Sequence, residues 1–312
     1  MSKEILFKCL DHEETERAPW VPFAGVHAGY LIGADATEVL TNPDTLVKSL
    51  LEVEKLFKPD GMPIVFDLQL EAEILGCDLM WSKDAPPSVS SHPLEETMTV
   101  PCLCEVPTAE DGRMPVILEA CRQMKKEVGD TTALFGLYCG PFTLASHLRG
   151  NDIFMDMYDD EDYVHELVNF CTEVGKAMID MYADVGMDVI AVVDPLVSQI
   201  SPDHFKEFFA KPFSDLFKHT KEKGAYSSLF VCGDATKNME VMSKTYPDSI
   251  HVDENVDLVA AKTITDKYNV AIGGNIPLTS AMLFGTQQDN MKVMVDLIDA
   301  VNSKRNFVAA PG

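Results

Sequence analysis

The chain has 312 residues, 46% hydrophobic and 24% charged, enough to bury one large α/β core. Its formal charge of −25 argues against nucleic acid and anionic membrane surfaces, since either would repel it. The acid-rich N-terminus, MSKEILFKCLDHEETERAPW, lacks the apolar core of a signal peptide, and the eight scattered cysteines include no CxxC pair, so a cytoplasmic protein with reduced thiols is expected.

Apolar, β-rich runs recur along the chain between amphipathic stretches. The first is WVPFAGV at 20–26, followed by a helical pattern at 42–57 with Asn42 or Asp44 as cap. MPIVFDL at 62–68 comes next. The proline-rich, irregular segment 81–116 then reads as an insertion holding a small hairpin and a lid. ALFGLYC at 133–139 precedes a long helix that opens on acids at 159–162 and closes on Gly186. After DVIAVVD at 188–194, Ser201 and Pro202 open another helix, and SSLFVC, SIHVD and VAIGG follow at 227–232, 249–253 and 270–274. A last helical pattern at 287–304 leads to NFVAA at 306–310. Continuous apolar runs suit parallel strands buried on both faces. Eight of them alternating with helices predict a single (β/α)8 TIM barrel over residues 1–312, with an N-terminal helical segment. A doubly wound sheet is the alternative, but no GxGxxG follows an early strand. The chain stops directly after the eighth strand, so either the N-terminal segment covers that strand's outer face or the native chain continues; the second is expected.

Barrels of this kind build their sites at the C-terminal ends of the strands. Those ends carry Asp67, Gln69, Glu71, Tyr138, Asp194, Cys232, His251, Asp253 and Asn275, with His27 after the first run. We assign Asp67, Glu71, Asp194 and Asp253 as candidate acid–base groups, and His27, Gln69, Tyr138 and Asn275 as candidate substrate contacts. Each has a plainer reading. Asp67 could cap a helix, Asp194 could open a turn before Pro195, and Asp253 could cap a helix near Val256. Cys232, where an apolar run meets GDAT, is either a core thiol or a group facing a cavity. No Lys or Arg stands at these ends, which disfavours phosphate chemistry.

The colinear succession ERAPWVPF, FDLQLEAEILGCDL, GPFTLA, DVIAVVDPLVSQISPDHFKEFFAKPF, LFVCGDAT, HVDENVDLVAAK, AIGGNIP and NFVAAPG resembles the uroporphyrinogen decarboxylase superfamily. It resembles most the branch that moves methyl groups to or from corrinoid proteins. The resemblance implies a TIM barrel, a corrinoid protein as partner carrying the methylcorrinoid, a small thiol, pterin or methyl ether as the other reactant, and pairing into homodimers. It also implies zinc, held by a His-x-Cys-Gly at the fifth strand and a cysteine after the PG of the eighth. Cys232 and Gly233 match that pattern, Phe230 stands in the histidine position, and the second cysteine would fall beyond Gly312. His251, Glu71, Asp194 or Asp253 would then have to complete a metal site. Uroporphyrinogen decarboxylation is the alternative activity, but no arginine follows RAPWVPF to receive the substrate's carboxylates. A non-catalytic subunit that binds a corrinoid protein is the third reading.

Overall fold

The computed structural model describes residues 2–301 and 304–312. Seven strands form one parallel sheet in the order β1 (Gly61–Pro63), β4 (Ala133–Cys139), β5 (Val189–Val193), β6 (Tyr226–Val231), β7 (Ser249–Val252), β8 (Ala271–Ile276) and β9 (Phe307–Pro311). The short strands β2 (Leu79–Met80) and β3 (Ser88–Val89) pair antiparallel, so a hairpin forms but starts just ahead of the 81–116 segment in which it was expected. Each sheet strand from β1 to β8 is followed by at least one helix before the next sheet strand, and every residue of the long strands β4, β5 and β8 is buried.

The eight-strand expectation needs correction at its first member. Residues 20–26 form no strand; Trp20 makes a single parallel bridge to Ala309. Pro19–Val21 nonetheless hydrogen-bonds to both sides of the sheet. Val21 N–H donates to Ala309 O, Ala309 N–H to Pro19 O, and Asp60 N–H, just before β1, to Trp20 O. A glycine at 25 with φ +51° turns the chain out of extended conformation into the 3-10 helix Gly25–Leu31. Proline at 22 and this turn leave no room for a longer strand.

The sheet is curled, because inward side chains from strands on both its flanks share one apolar cluster. Ala133, Phe135 and Leu137 of β4, Val189, Ala191 and Val193 of β5, Phe230, Ala271 and Val308 all belong to it. The helix Ser2–Leu10 adds Leu6, Cys9 and Leu10 at the strands' N-terminal ends, where Cys9 Sγ reaches Phe307 O. It thus plugs the interior rather than covering the outer face of β9. A larger cluster on the other side of the strands packs the surrounding helices, among them Met114–Val128, Pro141–Arg149, Glu161–Asp184 and Ala210–Glu222.

Helix starts follow the expected chemistry. Asn42 caps Pro43–Phe57 by accepting from Thr45 N–H, Asp160 caps Glu161–Asp184 through Tyr163 N–H, and Ser201 accepts from His204 N–H with Pro202 in the first turn. The last long helix runs Gln287–Ala300, shorter than the 287–304 expected; residues 302–303 of that stretch lie outside the described residues. Among the described residues no helix is long and apolar enough to cross a membrane. The reduced-thiol expectation fails at one place: Cys102 and Cys104 are joined as a disulfide, while the other six cysteines are free.

Candidate active site

Strand parity decides which residues face the interior. In β6, Phe230 points inward while Leu229 and Val231 pack on helices, so Cys232 falls on the inward side at the strand's end. The same rule directs His251 and Asp253 inward from β7, whose Ile250 and Val252 pack outward. Together they line a cavity of about 350 Å3 at the C-terminal ends of the strands. Its floor is aromatic. Phe23 and Phe230 have ring centroids 4.8 Å apart, and Phe66 lies 6.4 Å from Phe23 and 6.5 Å from Phe230. The His251 ring completes the group, 4.4 Å from Phe230 and 5.5 Å from Phe23. The mouth is bounded by His27, by Leu278, and by Asp84–Pro86 from the β2–β3 loop.

His251 is buried, and its Nδ1 has no hydrogen-bond partner. A Cβ at Gly273 would come within 2.1 Å of that nitrogen, so only glycine lets the imidazole lie flat on β8. Burial lowers the His251 pKa to about 3, and the ring is neutral at physiological pH. Cys232 is exposed at the cavity wall, and partial desolvation, reinforced by the Asp253 charge, raises its pKa above the ordinary thiol value. Asp253 ties two loops together. Its Oδ2 accepts from Gly233 N–H at 2.8 Å and its Oδ1 from Asn255 N–H at 2.9 Å. Asp84 Oδ1 accepts from Tyr30 O–H at 3.3 Å, and the His27 ring stacks on Tyr30 at 5.7 Å.

The other predicted residues gather elsewhere. Asp194, one residue past inward-facing Val193, points outward and accepts from Phe142 N–H, Thr143 N–H and Thr143 Oγ1–H. It caps the helix Pro141–Arg149 from another strand. Gly140 permits this, since a Cβ there would meet Asp194 Oδ2 at 2.4 Å. Tyr138 is likewise one residue past inward Leu137 and packs in the helical layer. Glu71 accepts from Cys139 N–H at 3.0 Å through Oε1, and its buried Oε2 has no partner. Desolvation raises both Glu71 and Asp194 to about 7. Asp67 accepts from Gln69 N–H in a turn ahead of the helix Leu70–Ile74, whose N-cap Gln69 receives no side-chain cap bond, so Asp67 does not cap that helix; it pairs with Arg113 at 2.6 Å. Arg113 also binds Glu73 at 2.7 Å and lies 5.0 Å from the Trp81 ring centroid, anchoring the insertion. Gln69 sits at the N-terminus of the short helix Leu70–Ile74, outside the cavity lining. Asn275 donates through Nδ2 to Asp253 O and Val256 O, so it braces the loop that carries Asp253.

Four predicted residues, His27, Cys232, His251 and Asp253, therefore meet in the cavity; Asp67, Gln69, Glu71, Tyr138, Asp194 and Asn275 do not line it. Sequence reading missed Phe23, Phe66 and Phe230 as its floor. The signal available was the two-residue step from Phe230 to Cys232, which puts them on one face.

The expected zinc donors do not fit. Phe230 occupies the histidine position with a ring that stacks on Phe23, and both Asp253 oxygens are held by loop N–H groups. Glu71 and Asp194 lie behind the strands. Among the described residues no group of three His, Cys, Asp or Glu side chains could hold a metal ion.

Comparison with known proteins places the chain. Residues 1–312 match the family described as uroporphyrinogen decarboxylase (URO-D). The methylcobamide:CoM methyltransferase MtbA of Methanosarcina acetivorans is 28% identical over 95% of this chain and 88% of its own length. A uroporphyrinogen decarboxylase of Nostoc punctiforme is 26% identical over 79% of this chain and 76% of its own. The solved structure of a methyltransferase from Methanosarcina mazei superposes with a TM-score of 0.88 at 25% identity, covering all of this chain and 92% of that one.

Proposed function

Because the chain belongs to the uroporphyrinogen decarboxylase family, we propose that it is a methyltransferase which moves a methyl group between a corrinoid carried by a partner protein and a small molecule held in the cavity. The observation that carries this reading over decarboxylation is the cavity's lining. A porphyrinogen with eight carboxylates needs cationic groups to receive it. Among the described residues lining the cavity there is no Lys or Arg, while Asp84 and Asp253 add negative charge. A volume of about 350 Å3 suits a small reactant. The relatives named as methylcobamide methyltransferases support the same choice.

In this reading the curled sheet is completed into a barrel by Pro19–Val21, and its single mouth faces the corrinoid protein. Phe23, Phe66 and Phe230 exclude water from below the reacting carbon, so the methyl-bearing end is bound in a medium of low polarity. Neutral His251 offers no charge to that end. Cys232, its pKa raised by burial, is a protonated thiol at neutral pH and packs beside the reactant as a polarizable wall group. Asp253 and Asn275 hold the loop after β7 in position. No step requires a metal held by these side chains.

The test is methyl exchange followed by absorbance, with free methylcob(III)alamin or cob(I)alamin replacing the carried cofactor. Methylation or demethylation of cobalamin with small thiols, thioethers, ethers or amines, lost on Phe66→Ala, supports the proposal. Carboxyl loss from uroporphyrinogen with no cobalamin turnover would reject it.

A further inference from the structure

Resting on that reading, the geometry points to a substrate class: the cavity takes a cationic methyl donor, a quaternary ammonium or sulfonium head, and rejects organic anions. Three observations converge. The floor presents three phenylalanine rings, whose faces attract a diffuse cation. Two carboxylates stand on the wall and rim, Asp84 and Asp253, and among the described residues neither has an ion-pair partner. Their hydrogen bonds come from Tyr30 O–H and from backbone and amide N–H groups, which satisfy oxygens without cancelling charge. Finally, His251 is neutral, with Nδ1 buried and unpartnered, so this basic side chain at the floor does not repel a positive head.

The donor set that fails to fit zinc agrees with this assignment. An ether or a thiol needs help to lose its methyl group or its proton. An onium donor does not, because its leaving group departs uncharged. Transfer breaks the C–N or C–S bond with the electron pair left on a neutral amine or thioether. The methyl carbon takes its new bond from the electron pair of a nucleophile, here the reduced corrinoid of the proposed reaction. No proton is consumed. A thiol bearing a sulfonate, such as coenzyme M, meets two carboxylates and, among the described lining residues, no Lys or Arg, and is excluded by charge.

Isothermal titration of the full chain at low ionic strength tests this with three probes of similar size: choline, its uncharged isostere 3,3-dimethylbutan-1-ol, and 2-mercaptoethanesulfonate. Choline should bind about tenfold more tightly than the neutral alcohol, as expected of a desolvated cation on aromatic faces. The sulfonate should bind most weakly. Asp84→Asn should cost choline up to about fivefold and leave the alcohol unchanged, which also reports that the cavity is intact. Equal affinity for choline and the alcohol, tightest binding of the sulfonate, or no binding of any probe would each overturn the assignment. Onium selectivity with no methylation of cob(I)alamin would leave the binding site standing and remove the methyltransferase reading. Methyl transfer from a neutral ether with no onium selectivity would do the reverse.

Discussion

The two sides of the strand ends put their polar groups to different uses. Behind the strands, Asp67, Glu71 and Asp194 are enclosed by helices, and all three have assigned work: Asp67 answers Arg113, Asp194 caps a helix and Glu71 holds Cys139 N–H. In front of them, His251 has a nitrogen with no partner and Cys232 is open to the cavity. The acids behind the strands hold frame groups, although Glu71 Oε2 is buried without a partner, whereas His251 and Cys232 face the ligand space. Residue type alone does not separate the two, since acids sit on both sides.

The largest expected effect strikes the frame. Arg113→Leu removes the partner of buried Asp67 and of Glu73 and frees Trp81, so urea unfolding should show a loss of about 3 kcal/mol. A loss below about 1 kcal/mol would mean that the insertion is not anchored there. Arg113 does not line the cavity, so affinity for the small probes should change less than stability does.

Titration should split the two sides by sign. Glu71 has a folded pKa near 7, above its unfolded value of about 4.3, so the folded state holds more protons between those values. Its contribution is full below about pH 4.3 and is lost as pH rises through 7. His251 has a folded pKa of about 3, below its unfolded value of about 6.5, so its contribution is present above 6.5 and is lost as pH falls toward 3. Glu71→Gln should therefore flatten the decline in stability between about pH 4.3 and 7, and His251→Gln should flatten the acid limb below about 6.5, each by a few kcal/mol. Denaturant midpoints measured across pH check both. The same limb flattening in both variants would break the contrast between front and back.

How much of this was legible in the sequence follows the same division. Runs such as ALFGLYC and DVIAVVD located strands because parallel strands covered on both faces are continuously apolar, and caps such as Ser201–Pro202 located helix starts. That continuity also hides parity. Nothing in DVIAVVD marks Val193 as inward and Asp194 as outward, so an acid at a strand end was read as a site acid when it caps a helix from across the layer. Tyr138 was misplaced for the same reason. The floor was missed because phenylalanine reads as core until a cavity is seen above it. Asp84–Pro86 reached the mouth through a hairpin loop whose direction no local pattern encodes.

A milder change probes the floor. Phe230→Leu keeps an apolar side chain but removes the ring that packs on Phe23 and His251, so stability should fall by about 1 kcal/mol in the same urea assay. Choline affinity should fall by more than affinity for its neutral isostere, because the lost interaction belongs to the ring face. A parallel fall in both would show that Phe230 contributes only shape.

The smallest effect concerns the thiol. Cys232 stands at the wall, and after desolvation the cause that raises its pKa is the Asp253 charge. Alkylation by iodoacetamide requires the thiolate, so the Cys232 peptide should label slowly near neutral pH and faster as pH rises. Asp253→Asn removes the charge while its amide oxygen can still accept from Gly233 N–H, and labelling at pH 8 should speed up by about two- to threefold, the size of a partly screened charge pair. Cys232→Ser should leave stability within about 0.5 kcal/mol, as for other open positions. Unchanged labelling in Asp253→Asn would show that the carboxylate does not act on the sulfur, and Asp253 would then belong with the frame.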